Sequence, residues 1–96
     1  MSKKKLYISG KMKGLDNHHE LFNKAENEYS KKGYKVLNPV RFEHVTGEWG
    51  EMILHDLHIL DKCDAILMLN NWKESNGAQA EHWFAKGKGL EIIYQE

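Results

Sequence analysis

Proline and cysteine are almost missing from this chain, and an excess charge of either sign is missing altogether. With one proline, Pro39, there is no Pro-rich linker, and neither repeats nor low-complexity segments occur. The lone cysteine, Cys63, cannot form an internal disulfide, which suits a reducing compartment. Fourteen basic and fourteen acidic side chains cancel, so no global field draws a nucleic-acid polymer or an anionic membrane. The longest unbroken apolar run, Ala65–Leu69, is five residues, far below the ~20 of a membrane span. The basic start at Lys3, Lys4 and Lys5 leads into a strand pattern too short for a signal peptide. A cytoplasmic protein with no membrane and no nucleic-acid partner is the expectation. Ninety-six residues, 41% hydrophobic and 29% charged, suit one globular domain over 1–96.

Within that length, short β-prone runs alternate with helical patterns. Leu6–Ser9 reads as a strand ended by Gly10. The loop GKMKG follows, with glycines at its ends and Lys11 and Lys13 between. Glycines let backbone approach an anion and lysines supply charge, but the spacing matches neither the P-loop nor GxGxxG, and an ordinary solvated turn fits as well. Asp16 or Asn17 can cap a helix running to about Lys32, apolar at Leu21, Phe22, Ala25 and Tyr29 and ended by Gly33. Tyr34–Leu37 is a second strand, stopped by Asn38-Pro39. Val40–Gly50 has no clean period and reads as a loop, in which Trp49 serves as a lid or a core anchor.

Glu51–Cys63 has helical spacing, with Ile53, Leu57 and Leu60 on one side and Met52, Ile59 and Cys63 widening the arc. Asp56 falls inside that arc, where a carboxylate is costly unless paired or used. His55 and His58 lie on the opposite, solvated face, and two such residues without a third ligand give no metal site. Asp64–Leu69 is a strand buried on both faces. The polar stretch Asn70–Ala85 then carries the chain from strand to loop to helix, capped by Asn76 or Ser75 and ended by the Gly87 and Gly89 pair. Glu81 falls in the early turns of that helix, where the dipole favours a carboxylate; an ordinary early-helix acid is the competing reading. Glu91–Tyr94 makes a last strand. The result is a single flavodoxin- or Rossmann-like three-layer α/β domain with a four-stranded parallel sheet in the order 2-1-3-4. At its switch point the GKMKG loop, Asp56 and Ser75–Glu81 converge.

The ordered set YISGKMKG, NP after the second strand, DLHILDKCDAILML and SNGAQAE resembles the nucleoside 2-deoxyribosyltransferase-like superfamily, above all its small phage and bacterial members. The 2′-deoxynucleoside 5′-phosphate N-hydrolases are a related branch. The resemblance covers almost the whole chain. It implies cleavage or exchange of the N-glycosidic bond of a deoxynucleoside or its 5′-monophosphate. Glu81 would be the nucleophile, with Asp56 and Tyr7 beside it and no metal or other cofactor. It further implies phosphate binding by Gly10, Lys11, Lys13, Ser75 and Gly77, and assembly into a homo-oligomer. A module that binds a nucleotide without turnover is the alternative. Two departures stand out: Trp83 replaces a usual glycine, an indole expected to narrow the pocket, and the sequence stops at Glu96, short of the segment with which transferases complete a neighbour's site.

Overall fold

The computed structural model describes residues 3–42 and 49–95. Strand β1 (Lys5–Ser9) alternates its side chains across the sheet, so Leu6 and Ile8 face one layer while Tyr7 and Ser9 face the other. Helix α1 (His18–Lys31) buries Phe22 and Ala25 against the first of these faces. Asn17 precedes the helix without a side-chain capping bond. Strand β2 is short (Lys35–Leu37), and Asn38-Pro39 turns the chain into a single 3-10 turn over Pro39–Phe42. The buried Asn38 amide donates to Asn23 and Glu26, while its oxygen accepts from the Val40 N–H, fixing that turn against α1.

Helix α2 (Trp49–Leu60) begins two residues before the sequence pattern suggests, so Trp49 and Gly50 are helical and not part of a loop. Residues 43–48 and the Trp49 side chain, hence its role as lid or anchor, lie outside the described residues. Strand β3 (Ala65–Met68) is buried throughout, helix α3 (Asn76–Lys88) follows a 3-10 turn at Trp72–Glu74, and β4 (Glu91–Tyr94) completes the sheet. All pairings are parallel and the order is β2-β1-β3-β4, as the sequence pattern predicts. Leu60, Cys63, Ala78 and Ala85 pack with Tyr7, Ile66 and Met68 on the face opposite α1, giving three layers. Leu57 and Ile59 sit beside this second core, whereas Met52 at the start of α2 is exposed. None of the described helices is long and apolar enough to cross a membrane.

In the first loop, geometry demands glycine at both ends. Gly14 sits at φ 83 within the turn closed by the Leu15 N–H to the Met12 carbonyl, a left-handed position that L side chains avoid. Gly10 is not at positive φ, but a Cβ there would lie 2.8 Å from Leu69 Cδ1 and 2.9 Å from Leu69 Cβ. Bare backbone at residue 10 lets the first loop cross directly over the end of β3.

Candidate functional site

That crossing helps form a cleft of about 420 Å³ at the carboxyl ends of β1 and β3. Its lining includes Tyr7 from β1, Gly10, Lys11 and Lys13 from the first loop, Asp56 from α2, and Ser75, Gly77 and Glu81 from α3 and its approach. All eight residues singled out from the sequence therefore border one hollow. A second hollow of about 640 Å³ lies across the sheet between α1 and β4. Its lining residues include Lys24, Glu28, Tyr29 and Lys32 but no buried acid, whereas the first is lined by the buried Glu81.

Glu81 reaches the cleft from the second turn of α3, and its position follows from how that helix starts. Ser75, not Asn76, is the N-cap: its hydroxyl accepts from the Ala78 N–H at 3.1 Å. This leaves the first N–H groups of the helix, at Asn76 and Gly77, without intrahelical acceptors at the cleft wall. Glu81 itself points at the sheet. Its Oε2 accepts from the Tyr7 hydroxyl at 2.7 Å and its Oε1 from the Ser9 hydroxyl at 2.6 Å. The residue is 5% exposed, and burial pushes its pKa up to about 8, with the nearby Asp56 charge adding to the rise. The two hydroxyl hydrogen bonds pull the other way by stabilising the ionised form. Burial, and then the Glu81 and Asp56 charges, hold the Tyr7 phenol well above its ordinary range, so it stays a donor.

Asp56 is half-buried, and desolvation raises its pKa against the opposing influence of His55, whose Nδ1 lies 3.7 Å away. The cleft mouth is more polar. Lys11 donates its backbone N–H to Asn71 Oδ1 at 3.0 Å, and its ammonium pairs with Glu74 at 3.6 Å. An anion entering here would have to take Lys11 from Glu74, whereas Lys13 stands exposed to solvent.

Ser9 is the hydrogen-bond partner of Glu81 that the sequence reading missed. The usable signal was strand periodicity: once Tyr7 is singled out, residue 9 shares its face. The expectation for Trp83 is corrected. Its indole is 58% exposed, stands edge-on to His82 at 4.7 Å, and does not border the cleft. Two residues along a helix is a rotation of ~200°, so a side chain at 83 leaves from the side opposite Glu81. Trp72 packs against the second core. It stacks on the buried His82 at 4.2 Å, and His82 Nε2 shares a 2.8 Å hydrogen bond with the Tyr94 hydroxyl. Among the described residues no cluster of His, Cys, Asp and Glu has the makings of a metal site.

A doubly covered parallel sheet with a buried, doubly hydrogen-bonded carboxylate at its switch point defines a small α/β protein with a cleft where open α/β sheets bind their ligands. Residues 4–94 match the family described as Domain of unknown function (DUF4406), and the chain belongs to that family. Among solved structures it is similar to a 2-desoxiribosyltransferase from Leishmania mexicana, with a TM-score of 0.74 at 19% identity. The match covers 95% of this chain but 63% of that one, and the likeness is one of fold. No curated protein sequence matches the chain.

Proposed function

We propose that this protein cleaves or exchanges the N-glycosidic bond of a deoxynucleoside or deoxynucleoside 5′-monophosphate, with Glu81 as nucleophile. The observation that carries the reading is the environment of that side chain: buried, bordering the cleft, with a separate hydroxyl on each oxygen. The shared fold of the deoxyribosyltransferase and the ordered motifs support it. In this reading a Glu81 oxygen attacks C1′ and the bond from C1′ to the base nitrogen breaks. Its electron pair leaves with the base, which takes a proton held by Asp56. The resulting glycosyl ester is opened by water, giving hydrolysis, or by the ring nitrogen of a second base, giving exchange. In either case the proton lost by the incoming group returns to Asp56 and the Glu81 carboxylate leaves. Gly10, Lys11, Lys13, Ser75 and Gly77 would receive a 5′-phosphate at the mouth, aided by the N-terminus of α3. The single domain, its assembly into a homo-oligomer and a cytoplasmic location belong to the same proposal.

The test is to incubate the protein with a panel of deoxynucleosides and their 5′-monophosphates and separate released base by chromatography. Glu81→Ala is expected to lower release at least about a thousandfold while circular dichroism stays unchanged. Unaltered release would remove Glu81 from the mechanism. One observation favours a second reading, binding without turnover: with its pKa at about 8, Glu81 is mostly neutral at pH 7, and a neutral carboxyl is a poor nucleophile. Saturable binding of a nucleotide by calorimetry, with no base released between pH 6 and 9, would select that reading.

A further inference from the structure

The two oxygens of Glu81 stand in different surroundings. Tyr7, the donor to Oε2, borders the cleft, as Glu81 does. Ser9, the donor to Oε1, is 1% exposed and does not border it. Ser9 is also rigidly placed. Its strand pairs with β3, in register with Met68, and its carbonyl accepts from the Leu69 N–H at 2.8 Å. A serine hydroxyl has one proton to give, and its Oγ lies 2.6 Å from Oε1, within the range of a strong hydrogen bond once the carboxyl is ionised.

From this asymmetry we infer that Ser9 is a positioning residue for Glu81: it holds Oε1 as the spectator oxygen and leaves Oε2, released by Tyr7, to face the anomeric carbon. The inference rests on the proposed N-glycosidic reading. In the attack, Oε2 forms the bond to C1′ and becomes the ester oxygen, while Oε1 becomes the ester carbonyl and keeps its hydrogen bond from Ser9. The base departs with the electron pair of the broken C–N bond, and water later returns the carboxylate. Because Ser9 never touches the sugar, its effect falls on turnover and on the ionisation of Glu81, and not on affinity.

The experiment compares wild type, Ser9→Ala and Ser9→Thr, the last restoring a hydroxyl. Base release is measured across pH 5 to 9 and the Glu81 carboxyl is followed by ¹³C NMR titration, with Glu81→Gln assigning the resonance. Removing a donor to the ionised form raises the carboxyl pKa, so the acid limb of kcat in Ser9→Ala is expected to move to higher pH. kcat should fall about 10- to 100-fold, the loss of one hydrogen bond to a charged group, with KM within about twofold and Ser9→Thr recovering most of it. An unmoved acid limb together with an unmoved carbon titration would overturn the inference. So would a loss confined to KM. If the wild type releases no base at all, the glycosidic reading falls. The carbon titration alone then decides: a shift in Ser9→Ala upholds Ser9's hold on Glu81, and no shift ends it.

Discussion

The Glu81 carboxyl links the site to the stability of the fold. Its pKa is about 8 in the folded protein against an ordinary value of 4.5. Between those values the native state binds the proton that the unfolded chain has lost, so this group lowers stability as pH rises from about 4.5 to 8. Glu81→Gln keeps an acceptor for Tyr7 and removes the buried charge. Urea denaturation should therefore find the variant more stable than wild type at pH 8 to 9. The gain should reach up to a few kcal/mol, at ~1.4 kcal/mol for each pH unit between the folded and unfolded values. The difference should shrink towards pH 4. A gap that does not vary with pH would mean the buried carboxyl is not the cause. At this scale the sequence carried much of the site. Tyr7, Asp56 and Glu81 were visible as residue types in telling places, one by likeness and two by position on a helix. Ser9 was not, because a serine in a strand has no compositional mark, and its importance comes only from what lies across the interface with α3.

Among the elements, the crossing of the first loop over β3 imposes the sharpest steric demand. Gly10→Ala would drive a methyl group into Leu69, itself 2% exposed and held in the core beneath α1. The expected cost is about 1–3 kcal/mol, the usual range for overpacking a core, measured as a shift in the urea midpoint at constant slope. A change below ~0.5 kcal/mol, the scatter of ordinary surface substitutions, would show that Leu69 yields. Such close approach cannot be read from a sequence, since it depends on the partner's rotamer. The elements themselves were more legible. The unbroken run Ala65–Leu69 announced a strand covered on both faces, and Gly89 ends α3 at φ 84. The early start of α2 was concealed because Gly50 is a poor helix former inside the aperiodic span Val40–Gly50, although Trp49 stands four residues before Ile53 and so continues the apolar repeat.

At the scale of the whole molecule, an 11.2 kDa domain has little core to spare, yet Leu54 on α2 and Trp83 on α3 are exposed. Both suit burial against another copy, and light scattering at micromolar concentration should give at least twice the chain mass. A monomeric mass refutes the homo-oligomer. The strand order was legible because alternating β and α segments with short connections leave few topologies. The direction of Trp83 was legible in principle from helical rotation alone, and the family pattern obscured it by drawing attention to the substituted glycine. The hydroxyls and the acid they hold come from residues 72 and 74 positions apart. A chain in which β1 and α3 have not yet docked thus has only an ordinary solvated glutamate, titrating near 4.5 and bonded to nothing. The raised proton affinity of this carboxyl is therefore a property of the finished fold alone, and no local segment of the sequence carries it.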